Sequence, residues 1–341
     1  MAKRGFVCYN GGTMKKLYYA IFEKNFDEVV KSVIKKQDKN ALVKKLYPDS
    51  VLFFADERFS FENCCFKTAY LVIDNLQKEG VGALNAEMKH LLEKKNLKIF
   101  FPREVSNFKL TFLKENANVV IDGNLKNAVE IMLKKATKKS ISYLSTQAEL
   151  VFLAKADGAN LFMKKLSRNS EFSKIESKYE MSPDVAYMVN FLSEPASSEV
   201  VLDPYADKGM LAYIRSMCFK KANVIANDAD KDTVAALKKR AKALKDKTYS
   251  VLNYDFLSDN FPIKFIDKIV SDLTNLAYQK TFRANEFYTE FFEKLYSLKI
   301  KVAVLVVSKS HDISRFIEDK FEIDRQVVAT KYNVYKLKIR G

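Results

Sequence analysis

Apolar residues in the second half of the chain form short runs that alternate between strand-like and helix-like spacing. The strand-like runs are "EVVLDPY", "ANVIANDAD", "YSVLNYDF", "KIVSDLT" and "KVAVLVVS". Between them lie segments such as "LAYIRSMCF" and "KDTVAALKKRAKALK", whose apolar residues recur every three or four positions. This alternation predicts an α/β fold, a mostly parallel sheet with helices on both faces. "EIDRQVVAT" and "NVYKLKI" predict a closing antiparallel hairpin.

The first half of the chain shows no regular alternation. Helical spacing predicts that residues 13–46 are mostly helical, with further helices in "FKTAYLVIDNLQKEG", "LNAEMKHLLEKKN" and "LKNAVEIMLKKAT". Strands are predicted for "SVLFFA" and "NFKLTFLKE". A hairpin turning at Asp157–Gly158 is predicted within "AELVFLAKADGANLFMKKLS". This mixture predicts a smaller α+β region before the α/β domain.

A polar stretch, "NSEFSKIESKYEM" at 169–181, separates the two patterns. Directly after it, Ser182 and Pro183 form a helix start signal, because proline is well tolerated at the first helical position. A chain of 341 residues is long enough for two or more domains, so we place a domain boundary in this stretch.

Positive charge is concentrated in the first half. The formal net charge is +16, and residues 1–170 contain 30 Lys and Arg against 18 Asp and Glu. Clustered cations bind polyanions by displacing counterions from phosphates. The imbalance therefore favours a polyanion such as nucleic acid as a partner of the first half, although a lysine-rich surface also serves solubility.

No segment of the sequence indicates a membrane protein or a metal centre. The longest apolar run, "IKVAVLVVS", is far shorter than the roughly 20 residues that span a bilayer. "MAKRGFVCYNGG" lacks the features of a signal peptide, so we expect a cytoplasmic protein. The four cysteines and two histidines have neither zinc-site spacing nor the density of a disulfide scaffold, and we expect no metal.

Four successive predicted strands end in an acid. These are Asp203, Asp228, Asp255 and Asp272. Ligands of open α/β sheets lie beyond the carboxyl ends of the strands. An acidic rim suits a cationic ligand with hydroxyl or amine donors better than a phosphate. S-adenosylmethionine has a sulfonium, an ammonium, a ribose diol and an adenine amine, and we expect it as the cofactor.

The motifs around these acids resemble a known family. "MSPDVAYMVNFLSEPASSEVVLDPYADKGMLA" is similar to the entry of the class I methyltransferases that modify guanosine amino groups in tRNA and rRNA, where a D-P-F-x-G-x-G turn follows a helix. "IANDADKD", "NYDF" and "DKIVSDLTNLAY" stand where that family has its second-strand motif, its third-strand motif and its N/D-P-P-Y/W motif. Residues 107–170 resemble a divergent THUMP-type RNA-binding module.

The element pattern and the resemblance, which covers residues 107–341, together predict three domains, and the resemblance implies a set of site residues. The domains are an N-terminal α+β region at 1–106, the THUMP-like module at 107–170 and a Rossmann-like methyltransferase domain at 171–341, with a seven-stranded, mostly parallel sheet. The implied cofactor-binding residues are Ser182, Pro183, Asp203, Tyr205, Ala206, Gly209, Asp228, Ala229, Asp255 and Phe256. Within this set Asp203 and the backbone of 205–209 serve the methionine part, Asp228 the ribose, and Asp255 with Phe256 the adenine. The implied catalytic residues are Ser271, Asp272, Leu273 and Thr274.

The sequence departs from the family pattern at two places. Asp207 replaces the first glycine of the turn, and Met210 replaces a small hydroxyl residue. Both prolines of the catalytic motif are absent, with Leu273 and Thr274 in their region. Aspartate is one of the few residues that tolerate a positive φ.

The resemblance implies methylation of an exocyclic amine in RNA, with guanosine N2 of tRNA or rRNA as the target. Candidate RNA contacts are Lys134, Lys135, Lys164, Lys165 and Arg168. One alternative is a degenerate methyltransferase fold that binds RNA or assists assembly without catalysis, and another is a DNA amino-methyltransferase. A homodimer or a helper subunit stays open.

Overall fold

The computed structural model describes residues 9–10, 13–61, 65–76, 84–166, 181–219, 222–244, 248–278, 283–317 and 319–340. The chain forms two compact units. One contains residues 1–21, 37–60 and 68–168, and the other contains 22–36, 61–67 and 169–341. The proposed domain boundary at 169–181 lies outside the described residues except at Met181.

The first unit is built on a single sheet of ten described strands. They are β1 (Tyr9–Asn10), β2 (Thr13–Ile21), β3 (Leu42–Leu46), β4 (Ser50–Asp56), β5 (Thr68–Leu76), β6 (Asn107–Lys114), β7 (Ala117–Asn118), β8 (Ser140–Ile141), β9 (Glu149–Ala154) and β10 (Asn160–Lys165). The order is β3-β4-β2-β5-β10-β9-β6-β7, with β1 beside β2 and β8 beside β6. Because β5 pairs with β10, residues on both sides of position 106 share this sheet.

Helices α2 (Leu84–Lys94) and α3 (Gly123–Thr137) belong to the first unit, and a short 3₁₀ turn occupies Leu97–Phe100. Met88, Leu91, Val129 and Leu133 are buried in one core cluster with strand residues such as Phe152. A second cluster, which contains Leu17, Tyr19 and Leu153, is formed by residues of β2, β4, β5, β6, β9 and β10. The sheet is thus buried on both faces over its central strands.

Two helix predictions in this region are wrong. Residues 13–46 form β2, helix α1 (Asp27–Gln37) and β3 in place of a mostly helical segment, and "FKTAYLVIDNLQKEG" contains strand β5. Strands β2 and β5 pair with each other near the centre of the sheet, where both faces are covered. The predicted strands of "SVLFFA" and "NFKLTFLKE", the hairpin at Asp157–Gly158 and helices α2 and α3 are confirmed.

The second unit has the predicted α/β architecture. Its strands are β11 (Val200–Asp203), β12 (Asn223–Asn227), β13 (Tyr249–Leu252), β14 (Lys268–Asp272), β15 (Val302–Ser308), β16 (Phe321–Val328) and β17 (Tyr332–Ile339). Its sheet has the order β13-β12-β11-β14-β15-β17-β16. Neighbours from β13 to β15 are parallel, and β17 pairs antiparallel with β15 and β16. From β11 the sheet continues to β12 and β13 on one side and to β14 and β15 on the other. Ligands of such sheets bind at this switch point in strand order.

The helices of the second unit are α1, α4 (Pro183–Leu192), α5 (Met210–Cys218), α6 (Lys231–Leu244), α7 (Ala284–Ser297) and α8 (Ser314–Ile317), with a 3₁₀ turn at Asn275–Tyr278. Its largest core cluster joins β14 and β15 to aromatic residues of α7, among them Tyr288, Phe291 and Phe292. The aromatic helix is therefore part of the core.

A buried ion network fixes helix α5 against the sheet. Arg215 is 1% exposed, forms an ion pair with Glu199, and donates to Ser193 Oγ at 2.8 Å. Lys268, at the start of β14, forms a second ion pair with Glu199 at 2.7 Å. The network ties α5 to the beginnings of β11 and β14, the two strands whose far ends carry Asp203 and Asp272.

Within the described ranges, no helix has both the length and the apolar character needed to cross a membrane.

Candidate functional site

The predicted acids meet along one edge of the seven-stranded sheet. Asp203 and Asp272 are the last residues of the neighbouring parallel strands β11 and β14. Asp228 directly follows β12, and Asp255 lies three residues after β13. Carboxyl ends of parallel neighbours lie at the same edge, so the topology gathers the four acids that the sequence separates by up to 69 positions.

Asn227 holds three of these strand ends together. Its amide nitrogen donates to the carbonyl oxygens of Pro204 and Tyr254, at 3.0 and 2.9 Å, and its side-chain oxygen accepts from Tyr254 N at 3.1 Å. Its own carbonyl oxygen accepts from Ala206 N at 2.9 Å. A buried amide with this many partners makes the edge rigid before any ligand binds.

The turn between β11 and α5 contains two residues with positive φ. Asp207 has φ 43° and Gly209 has φ 75°. The Gly209 amide donates to Ala206 O at 2.6 Å, and the Asp207 amide donates to Asp228 Oδ2 at 3.0 Å. The φ of Gly209 strains any residue with a side chain, and a Cβ there would lie 2.4 Å from Leu237 Cδ2, so the end of that leucine would have to shift.

Asp203 is buried at the base of the site. It is 4% exposed and accepts a hydrogen bond from Ser271 Oγ at 2.8 Å. Burial, together with the charges of Asp272 and Asp228, raises the pKa of Asp203 to about 8, although Ser271 and the Tyr205 amide oppose that shift. A nearby cation would lower this pKa and favour the charged carboxylate.

Asp228 and Asp255 differ in their surroundings. Asp228 is half-buried, and burial raises its pKa even though its carboxylate accepts from the amides of Asp207 and Asp230. Asp255 is exposed and accepts from Leu257 N at 3.0 Å. Ala229, beside Asp228, is exposed, and its carbonyl accepts from Asn253 Nδ2.

The predicted adenine contact of Phe256 does not fit its position. Phe256 is 1% exposed and packs in the core, with Phe261 and Phe291 at ring-centroid distances of 5.1 and 5.8 Å. Tyr205 packs edge-on against the same ring at 6.1 Å. The ring is covered by protein, so a ligand base would have to displace core residues to reach it.

The loop after β14 also divides into buried and accessible residues. Asp272 Oδ1 accepts from Thr274 N at 2.9 Å and from Thr274 Oγ1 at 2.6 Å, which fixes the carboxylate at the strand end. Ser271 and Leu273 are completely buried, and Leu273 belongs to the core. Of the predicted catalytic tetrad, Leu273 is therefore a packing residue, and Ser271 acts on Asp203.

A small cavity lies at the point where these loops meet. Its volume is about 30 Å³, room for about two water molecules. Its lining residues are Met181, Asp203, Ala206, Asp207, Lys208, Gly209, Met210, Leu211, Asp272 and Asn275. The amide nitrogen of Asn275 donates to Asp207 Oδ2 at 2.7 Å. Among the described residues, no group of three or more His, Cys, Asp or Glu side chains could hold a metal ion.

Sequence reasoning missed Met181 and Asn275 as lining residues. Asn275 could have been found from its place in "SDLTNLAY", three positions after the strand-end acid, because a short polar side chain is common in a loop that faces a ligand. Ser182 precedes α4 as its N-cap without a side-chain cap bond, and Pro183 is buried. Neither lines the cavity.

The candidate RNA contacts of the first unit do not all lie together. Lys134 and Lys135 are exposed in the last turn of α3. Lys165 forms an ion pair with Glu149 at 3.2 Å. Lys164 lines a larger cavity of about 740 Å³. Arg168 lies outside the described residues.

That larger cavity, which we call the lysine groove, combines cations with aromatic and apolar side chains. Its lining includes Lys16, Lys94, Lys95 and Lys164 together with Ile99, Phe100 and Phe101. Lys164 Nζ lies 5.8 Å from the centroid of the Phe101 ring, and burial lowers the pKa of Lys164. Sequence reasoning predicted only Lys164 of this set.

Comparison with solved structures identifies the fold. The chain is similar to TrmN from Thermus thermophilus, with a TM-score of 0.73 and 14% identity over 95% of this chain and 99% of that one. It is also similar to a possible methylase from Clostridium difficile 630, with a TM-score of 0.67 and 12% identity over 96% and 99% of the two chains. A predicted N6-adenine-specific DNA methylase from Listeria monocytogenes gives a TM-score of 0.67 and 10% identity over 94% and 96%.

No protein-family model matches the sequence, and no curated protein matches it. TM-scores of 0.67–0.73 over nearly the whole chain establish the fold, whereas identities of 10–14% carry no information on the chemistry. The similarity to TrmN covers nearly the whole of both chains, including the seven-stranded sheet of this chain with its switch point beside β11. The chain thus has the fold of the Rossmann-like methyltransferases, with an additional N-terminal α+β region.

Proposed function

We propose that the chain binds S-adenosylmethionine at the carboxyl edge of the seven-stranded sheet and methylates an exocyclic amine in RNA, with guanosine N2 of tRNA or rRNA as the target. The observation that carries this proposal is the convergence of Asp203, Asp228 and Asp272 beside the turn at Gly209. A rim of carboxylates around a tight turn suits a cationic ligand with a ribose diol.

The acceptor groups of the site fit the donors of this cofactor. Asp228 directly follows β12, the second strand of this sheet along the chain, and in this proposal it accepts from the ribose hydroxyls. Asp203 and Asp207 line the cavity on the side of the turn, where their carboxyl groups favour the ammonium of the cofactor's amino acid group. The cavity of about 30 Å³ has room for about two water molecules, and the hydrogen bond between Asn275 and Asp207 narrows it on the side of the turn.

The cofactor supplies an electrophilic methyl group when it is bound. The chain itself needs to orient the target amine and exclude water, since in-line displacement from a cationic donor needs little acid–base assistance. We assign the target amine to Asp272; the hydrogen bonds of Thr274 to its Oδ1 and its position in the cavity lining support this assignment. A hydrogen bond from the amine to Asp272 aligns the nitrogen lone pair with the methyl group.

The lysine groove supports RNA as the substrate class. Cations that contact phosphates and an aromatic ring for base stacking are the two parts of a single-strand binding surface. The groove offers both, through Lys16, Lys94 and Lys164 and through the half-buried ring of Phe100, whereas Phe101 is buried in the core. Its volume of about 740 Å³ is sufficient for a nucleotide-sized group.

A non-catalytic RNA-binding protein is the second candidate function. The contact between Asn275 and Asp207 and the small volume of the cavity favour it, because both restrict the place where methyl transfer would occur. In that case RNA binds to the first unit and the α/β unit serves as a scaffold.

Titration with S-adenosylmethionine, followed by transfer of a labelled methyl group to RNA, tests the proposal. We expect binding by the wild type, at least tenfold weaker binding by Asp228→Ala, and wild-type binding by Asp259→Ala, an exposed acid outside the cavity lining. Asp272→Ala should bind the cofactor and lose transfer.

Three outcomes of this experiment contradict the proposal or part of it. Absence of cofactor binding by the wild type contradicts the proposal that the chain is a methyltransferase. Cofactor binding with no transfer to RNA supports the non-catalytic alternative. Transfer to DNA in preference to RNA corrects the substrate class.

A further inference from the structure

We propose that the carboxylate of Asp207 binds the ammonium of the cofactor. In the absence of cofactor, Asn275 donates a hydrogen bond to that carboxylate in place of the ammonium. This inference rests on the proposed function, since it concerns the methionine end of the same site. It explains the two departures from the family pattern together, because Asp207 stands in the altered turn and Asn275 in the altered loop.

The contact joins two separate segments of the chain across the cavity. Asn275 Nδ2 donates to Asp207 Oδ2 at 2.7 Å, and the two residues are 68 positions apart. Asp207 belongs to the turn after β11, and Asn275 begins the 3₁₀ turn after β14. Both line the cavity, so their hydrogen bond links the turn to the loop at the cavity wall.

Asp207 is oriented for this role by its backbone. Its φ of 43° is costly for a residue with a side chain, and its amide is used by Asp228 Oδ2 at 3.0 Å. The carboxylate is thereby held on the cavity side while the amide faces the acid that follows β12. Glycine at this position would have neither the strain nor the charge.

The chemistry of the two partners favours exchange. An amide N–H and an ammonium N–H are both donors to a carboxylate, but the ammonium carries a full charge and forms the stronger hydrogen bond. Asn275 therefore satisfies the carboxylate of Asp207 in the absence of ligand and is replaced by a cationic donor. Movement of Asn275 away from Asp207 also enlarges a cavity that now holds about 30 Å³.

The inference assigns a specificity to the site. Ligands that carry the amino acid group should depend on Asp207, and ligands that lack it should not. S-adenosylhomocysteine has the group, whereas 5′-methylthioadenosine has the same nucleoside without it. The pair therefore separates the methionine end of the site from the ribose and adenine end.

The experiment measures the affinity and association rate of both compounds by calorimetry and stopped-flow fluorescence. The proteins are the wild type, Asn275→Ala, Asp207→Asn and the control Asn118→Ala, an exposed asparagine of the first unit. Asp207→Asn keeps a residue that tolerates positive φ and removes the charge. Thermal unfolding of each variant checks that it is folded.

We expect Asn275→Ala to bind S-adenosylhomocysteine roughly tenfold more tightly, and faster, because no hydrogen bond to a charged group has to be broken first. Asp207→Asn should bind it roughly tenfold or more weakly. Neither substitution should change the affinity for 5′-methylthioadenosine by more than about twofold, and Asn118→Ala should resemble the wild type with both compounds.

Two results overturn the inference while leaving the proposed function intact. One is that Asn275→Ala binds S-adenosylhomocysteine with the same affinity and the same association rate as the wild type. The other is an equal loss of affinity for both compounds in Asp207→Asn. That result would show that Asp207 shapes the turn and does not bind the amino acid group. If neither compound binds to any of the folded proteins, the proposed cofactor site itself is wrong, and the inference fails with it.

Discussion

Single residues of the site show how the same type of side chain acquires different properties from its surroundings. Asp203 is buried beneath the cavity, Asp228 is half-buried, and Asp255 is exposed. All three lie at or just after the carboxyl ends of neighbouring parallel strands, and they differ in burial and in hydrogen-bond partners. A buried carboxyl without a nearby cation favours its neutral form, which makes Asp203 the acid most sensitive to pH and to a bound cation.

Asp203→Asn should remove a pH dependence of stability. The pKa of Asp203 is raised to about 8 in the folded chain, so between about pH 4 and pH 8 the unfolded chain loses this proton first. Stability is then lost as the pH rises through that window. The substitution does not change the sequence of the loop after β14, which contains Asn275. The Ser271 hydroxyl can donate to or accept from the new amide.

Urea unfolding at pH 5 and pH 8.5 measures this effect. We expect the free energy of unfolding of the wild type to fall relative to Asp203→Asn by an amount on the order of 4 kcal/mol across this range. Asp259→Asn, at an exposed position, serves as the control for the substitution. A constant difference between wild type and Asp203→Asn at all pH values would show that Asp203 is ionised in the folded protein.

At the scale of elements, the sequence predicts the second unit well and the first unit partly. Alternation along 199–339 identifies every strand of the seven-stranded sheet, because those strands are short, apolar and separated by amphipathic helices. Strand β5 was mistaken for a helix because its burial pattern repeats every three residues, with Ala69, Tyr70, Val72, Ile73 and Leu76 buried. Its pairing with β10 contains a register shift, which breaks the usual alternation.

The site could be predicted to the level of strand ends and no further. Acids at the ends of β11, β12 and β14 are visible in the sequence, since strand ends can be located from apolar runs. The contact of Asp207 with Asn275 and the burial of Phe256 depend on the path of loops and on core packing. Periodicity carries no information on either.

The turn between β11 and α5 gives the prediction at this scale. Gly209→Ala should destabilise the chain by about 1–3 kcal/mol, because alanine is strained at φ 75° and its Cβ would lie 2.4 Å from Leu237 Cδ2. Urea unfolding measures the loss. Gly123→Ala is the matched control, since nothing lies within 4 Å of its Cβ and alanine is favoured in helix α3.

We expect Gly123→Ala to be neutral or stabilising by up to about 1 kcal/mol. If Gly209→Ala were equally harmless, the turn would have another conformation in solution, and the placement of Asp207 beside the cavity would be in doubt. The comparison therefore tests the geometry of the candidate site without a ligand.

At the scale of the whole molecule, charge and chemistry are divided between the two units. The net charge of +16 comes mainly from the first half, which contains the lysine groove, whereas the second unit contains the acidic rim. A polyanion would be repelled by the rim and attracted by the groove. This division predicts that the first unit supplies affinity for RNA and the second unit supplies the reaction.

Salt dependence of RNA binding tests that division. Each lysine that contacts a phosphate contributes close to one unit to the slope of log affinity against log salt, so Lys94→Gln and Lys164→Gln should each lower the slope by about 1. Fluorescence anisotropy with a labelled tRNA measures it from about 50 to 200 mM salt. Lys31→Gln, on helix α1 of the second unit, should leave the slope unchanged.

Lys134→Gln discriminates between the two basic surfaces of the first unit, because Lys134 is exposed at the end of α3 and does not line the groove. A slope that changes with Lys134 and not with Lys94 or Lys164 would place the RNA on α3 and would reject the lysine groove as its binding site.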